Sequence, residues 1–145
     1  MKNKMWIGVL LAMMVGIMLP LSGIAWAGDV VVIANKNAPD STLSREDLKN
    51  IFLAKKSQWN SGGSINFAIL TQGATHETFL KQYIQKTPSQ FERHFRKLIF
   101  TGKGKAPTTM SSEKEMLAYV SSTEGAIGYV SFETNTSAVM VINVQ

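Results

Sequence analysis

The chain has 145 residues, no cysteine, a formal net charge of +5, 45% hydrophobic and 17% charged residues. This length allows one domain, and its apolar share is too high for a disordered chain. Without cysteine there is no disulfide scaffold, no Cys-ligated zinc or iron–sulfur site and no thiol catalysis.

The N-terminus carries Lys2 and Lys4, then an uncharged apolar stretch from Met5 to about Leu21, then Gly23-Ile24-Ala25-Trp26-Ala27. A basic start, an apolar centre and small residues at the third and first positions before a cut make a secretory signal, cleaved after Ala27. The apolar run is nearly long enough to span a bilayer, but Pro20 and Gly23 interrupt its end. No cysteine follows for a lipid anchor. The expected mature chain, residues 28–145, is a soluble periplasmic domain with net charge +3. Nucleic acid is not expected as a partner.

The mature chain opens with Val30 to Ala34, apolar on both faces and therefore a central strand of a covered sheet. Ser44-Arg45-Glu46-Asp47 offers an N-cap with an acid three residues later, and Leu48, Ile51 and Phe52 follow at helical spacing, giving a helix over about 45–54. Lys55 to Ser64 is a polar loop around Trp59 and Gly62-Gly63. Ile65 to Leu70 reads as a strand, and 75–86 as a helix whose apolar stripe is Phe79, Leu80, Tyr83 and Ile84, with His76 on the same side. Thr87-Pro88-Ser89-Gln90 is a capping box with proline at the first helical position. In the helix that follows, Phe91, Phe95, Leu98 and Ile99 are expected inside, and Arg93, Arg96 and Lys97 outside. Thr101 to Pro107 is a loop. Ser112-Glu113-Lys114-Glu115 is a third capping box, ahead of Met116, Leu117, Tyr119 and Val120. Gly125 to Val130 enters a strand, and Ala138 to Val144 is the last strand. Alternating strands and helices predict an α/β domain, a single three-layer α/β/α lobe with a mixed, partly parallel sheet. Val32, Phe79, Phe91, Phe95, Leu98 and Ile127 are expected to share its core.

Little in this sequence points to catalysis. The acids are scattered, His76 and His94 lie in different helices, and there is no Gly-x-Ser-x-Gly elbow; neither enzyme activity, a metal site nor a cofactor is expected. Two segments can hold a ligand. Gln72, Gly73, Ala74, Thr75 and His76 form a strand-to-helix turn whose free N–H groups and helix dipole suit an anion, at the strand end where open α/β sheets bind ligands. Thr101-Gly102-Lys103-Gly104 joins a free backbone to a positive charge. Both also read as ordinary structure: His76 as a core histidine, and the Gly-Lys-Gly segment as a surface loop.

Leu43-Ser-Arg-Glu-Asp-Leu-Lys-Asn-Ile-Phe-Leu-Ala-Lys55 with Trp59, then Phe100-Thr-Gly-Lys-Gly104, then Gly125-Ala-Ile-Gly-Tyr-Val130 resemble the phosphate-binding periplasmic proteins of bacterial ABC importers. Ala54 and Glu124 stand where that family has Gly and Pro. The resemblance covers most of residues 30–131 and implies one lobe of a type II periplasmic binding protein. It further implies a small oxyanion such as phosphate as ligand, with Lys103 approaching the turn, and an ABC permease or another envelope protein as partner. A homodimer would supply the second lobe. In the family's phosphate loop, Arg and Ser accompany the glycines; residues 70–76 keep the first Gly and lack both. The alternative is a non-catalytic exported interaction domain that reuses the fold without a small ligand.

Overall fold

The computed structural model describes residues 29–145. The expected signal over residues 1–27 and its cleavage point lie outside the described residues. The elements run β1 (Val30–Ala34), β2 (Thr42–Leu43), α1 (Arg45–Phe52), β3 (Asn66–Leu70), α2 (Ala74–Phe79), α3 (Pro88–Phe100), β4 (Thr108–Met110), α4 (Glu113–Ser122), β5 (Ala126–Ser131), β6 (Met140–Val141) and β7 (Asn143–Val144).

A mixed sheet of five strands, ordered β4-β3-β5-β1-β6, is the middle layer. β3 runs parallel to β4 and β5, whereas β1 is antiparallel to β5 and β6. The pleat of β5 explains the layering, because successive side chains point to opposite faces. Gly128 faces α4, where an added Cβ would sit 2.4 Å from Met116 Sδ and 3.3 Å from Val120 Cγ2. Tyr129 faces the other way and meets Phe79 of α2 and Phe52 of α1, with ring centroids 3.8 and 5.9 Å apart. Helices therefore cover both faces, in the expected three layers. Val32, Phe79, Phe91, Phe95 and Ile127 are buried in one core, and Leu98 packs against it half-buried.

The caps follow the sequence. Ser44 accepts from Asp47 N–H, and Thr87 and Gln90 form a complete capping box. Ser112 caps α4, but Glu115 bonds the Ser111 N–H and hydroxyl instead of completing a box. At the far end of α4, buried Asn35 donates to the carbonyls of Val120 and Ser121, which have no partner within the helix. Gly125 turns the chain into β5 at φ 72°, and a Cβ there would lie 2.3 Å from Ser64 O. Both facts require glycine.

Four expectations need correction. Ile99 is 50% exposed; the helical wheel holds for Phe91, Phe95 and half-buried Leu98, but Ile99 lines an open cleft instead of core. The helix over 75–86 is α-helical only to Phe79 and continues as a π-helical turn, Leu80–Ile84, closed by Gln85 at φ 59°. Ile65 precedes β3. The last strand is two: β6 pairs with β1, and β7 pairs in parallel with β2, the switch falling at buried Ile142. Hydrophobic periodicity carries no information about which partner accepts a strand's hydrogen bonds.

Candidate functional site

β3 ends at Leu70, and the chain turns through Thr71, Gln72 and Gly73 into α2. Gly73 is the N-cap at φ 102°, and it provides no side-chain cap. Gln72, Gly73 and Ala74 are exposed and Thr75 is half-buried. The turn predicted from sequence is thus an accessible segment at the carboxyl end of a strand.

His76 is different: it is only 5% exposed. The Leu70 N–H donates to Tyr129 Oη at 3.0 Å, so the phenol must spend its own proton elsewhere. Its acceptor is His76 Nδ1, 2.6 Å away. That bond fixes the tautomer, placing the proton of the neutral imidazole on Nε2. Burial holds the His76 pKa below its usual value, with neighbouring Glu77 opposing that shift, so the ring is neutral at pH 7. Burial likewise raises the Tyr129 pKa, and the phenol remains protonated.

Thr71 and His76 both line a cleft of about 420 Å³ between the β3–β4 end of the sheet and α3. Its walls are mostly apolar, with Ile69, Phe91, Phe95 and Ile99 among them. Glu92 and Arg96 also line it and form an ion pair at 2.6 Å, one turn apart on α3. Among the described residues the only fully buried side-chain nitrogen or oxygen without a partner is Trp59 Nε1. His76 Nε2, which has no protein partner among the described residues either, is therefore not fully enclosed by them, and His76 is part of the cleft lining.

Lys103 does not line this cleft; its N–H bonds Leu98 O beyond the end of α3, and Gly104 sits against the Leu98 side chain. The fold brings Thr71 and His76 together and leaves Lys103 to one side of them. His94, the second histidine, is structural: Nε2 lies 2.9 Å from the Leu53 carbonyl at the end of α1. Among the described residues, no three His, Asp or Glu side chains come together as a metal site, and no helix is long and apolar enough to cross a membrane. Sequence reasoning missed Tyr129 as the partner of His76. The adjacent Gly128 was the available sign: if it admits a helix on one face, Tyr129 faces the opposite layer.

The model of the PBP superfamily domain matches residues 24–141. No curated protein sequence matches the chain. Among solved structures, an ABC-type phosphate transport receptor from Vibrio cholerae is similar at 15% identity and a TM-score of 0.63. A putative phosphate ABC transporter substrate-binding protein from Clostridium perfringens, solved with bound phosphate, is similar at 20% identity and 0.63. PstS from Borrelia burgdorferi is similar at 18% identity and 0.64. Each match covers 81% of this chain but only 46%, 45% and 47% of the respective relative, so the chain spans less than half of their length. At these identities the likeness is one of fold. The lobe-like sheet, the helices on both its faces and the match over most of the sequence lead to one conclusion: the chain belongs to the PBP superfamily.

Proposed function

We propose that the chain is an exported, non-catalytic solute-binding domain that holds a small oxyanion at the 71–76 turn and serves an ABC importer. The observation that carries this reading is the accessible turn at the carboxyl end of β3, in a fold shared with phosphate-binding relatives. The donors are the backbone N–H groups of Ala74 to His76 and the Thr75 hydroxyl, with Lys103 expected to approach from the loop after α3. Phosphate is the first oxyanion to test, because the Clostridium perfringens relative was solved with it. A second copy of the chain would close the site as a second lobe.

The expected affinity for phosphate is low. The family's arginine fork is missing from residues 70–76, and the arginine that lines the cleft, Arg96, is already paired with Glu92. Neutral donors facing solvent contribute modestly, so dissociation constants of tens of micromolar or poorer follow, about −6 kcal/mol or weaker. Isothermal titration of phosphate into the protein measures this; submicromolar affinity in a monomer overturns it. Thr75→Ala with Lys103→Ala should abolish oxyanion binding while leaving the melting temperature of the ligand-free protein nearly unchanged. Normal binding by that double variant moves the site elsewhere.

Export by a cleaved signal belongs to the same reading. The mature protein is expected to begin at Gly28, and N-terminal sequencing of the exported product checks it; a product beginning at Met1 overturns it. The alternative, an interaction domain without a small ligand, is favoured by one observation, the exposed Ile99 and Phe100 at the end of α3.

A further inference from the structure

The cleft beside the turn is built for carbon more than for a free inorganic ion. Ile69, Leu70, Phe91, Phe95 and Ile99 supply apolar wall, and its volume of about 420 Å³ lies within the range of small-molecule sites. An inorganic phosphate seated against these side chains would lose water without gaining compensating donors, which costs free energy. The one cation in the lining, Arg96, lies on the exposed rim and is paired there with Glu92 at 2.6 Å. Against this apolar background stands a single oriented donor. His76 is 95% buried, its Nδ1 edge is held by Tyr129, and its Nε2–H has no protein partner among the described residues.

A donor arranged in this way selects an acceptor at one point of the cleft. Tyr129 cannot rotate away without abandoning the Leu70 N–H, because its oxygen serves both bonds. The ring is therefore pre-set before a ligand arrives, which lowers the ordering cost of binding. Thr71, on the opposite side of the turn from His76 in sequence, lines the same space and offers a second donor, its hydroxyl. The head of a ligand would sit between these two residues, and its body would lie along Phe91, Phe95 and Ile99.

We infer that the site takes a small organic oxyanion: a carboxylate-type head accepting from His76 Nε2–H and Thr71, and an aromatic or branched apolar body in the cleft along α3. This rests on the reading of the 71–76 turn as a ligand-binding segment and names the class of its ligand. Glu92 and Arg96 form a neutral rim, so a second charge on the ligand has no counterpart among the lining residues. Burying an apolar body of six or seven carbons contributes several kilocalories per mole that inorganic phosphate cannot gain.

The test is titration of the full chain with phenylacetate, benzoate, acetate and inorganic phosphate. It is followed by calorimetry and by the 15N shift of His76 Nε2. Phenylacetate and benzoate are expected to bind at least tenfold tighter than acetate or phosphate, and to move the Nε2 resonance. Ile99→Asn puts an uncharged polar group on the cleft wall at a position already half exposed. It should weaken phenylacetate at least tenfold while leaving phosphate affinity unchanged. His76→Gln tests the anchor, and Thr71→Val, a change at an exposed residue, tests the head position if the histidine variant does not fold. Phosphate binding as tightly as phenylacetate, with no effect of Ile99→Asn, overturns the organic ligand and leaves the oxyanion turn standing. Binding of none of the four probes overturns both. Phenylacetate binding that ignores Ile99→Asn and leaves Nε2 unmoved overturns the placement.

Discussion

Phe79→Ala is expected to lower the stability of the domain by about 3–5 kcal/mol, the usual range for truncating a buried phenylalanine. The ring is fully buried. It lies flat on Tyr129 at 3.8 Å and 7°, and edge-on to Phe52 at 4.7 Å and 66°. These three side chains join α2, β5 and α1, so a cavity there has packed neighbours on every side that cannot all collapse into it. Such a loss is a large part of the total stability of a domain this size. Urea unfolding measures it, and a change under about 1 kcal/mol would show that this aromatic cluster is not the centre of the core. Phe95→Ala should cost less, because Phe95 also lines the open cleft and water can occupy part of the space.

Tyr129→Phe is expected to cost about 2–4 kcal/mol, although it removes one atom. The hydroxyl accepts from the Leu70 N–H and donates to His76 Nδ1. Its loss strands a buried donor and a buried acceptor, each worth about 1–3 kcal/mol when left unpaired. His76 also makes stability depend on pH. Its folded pKa lies below its unfolded value because burial disfavours the charged ring. Above the unfolded value, near 6.5, both states are neutral and stability is level. As pH falls below that value, the unfolded chain binds a proton that the folded chain refuses, and stability declines until the folded pKa is reached. One proton gives a slope of at most about 1.4 kcal/mol per pH unit. His76→Gln should flatten stability between pH 7 and 5 relative to the parent; an unchanged slope there would mean that the buried imidazole is not its source.

Ligand class and stability meet at the same residues. The Leu70–Tyr129–His76 chain of hydrogen bonds fixes the end of β3, the start of α2 and the direction of Nε2–H together. A variant that disturbs one of these is expected to disturb the others, so binding defects at His76 must be read beside its unfolding curve. Ile99 and Thr71 are better probes of binding, since neither belongs to this chain of bonds.

The local elements of this protein are written in its sequence. Ser44, Thr87 and Ser112 cap their helices because their side chains reach the first free N–H groups, which depends only on neighbours three residues away. The apolar stripes of α1 and α3 through Phe95, the all-apolar β1, the mostly apolar β5 and the α/β layering are equally local in origin. The exposed turn at Gly73 follows from the one residue type that suits φ 102°. Tertiary structure decided the rest. That Ile99 faces a cleft and not the core depends on where the neighbours of α3 end, which no helical wheel contains. The division of residues 140–144 between two sheets depends on partners about a hundred residues away. His76 reads in sequence first as a core histidine and second as a site residue, until β5 brings Tyr129 to its Nδ1 across a separation of 53 residues. One edge of the imidazole is spent on the fold, and the proposed site would use the other.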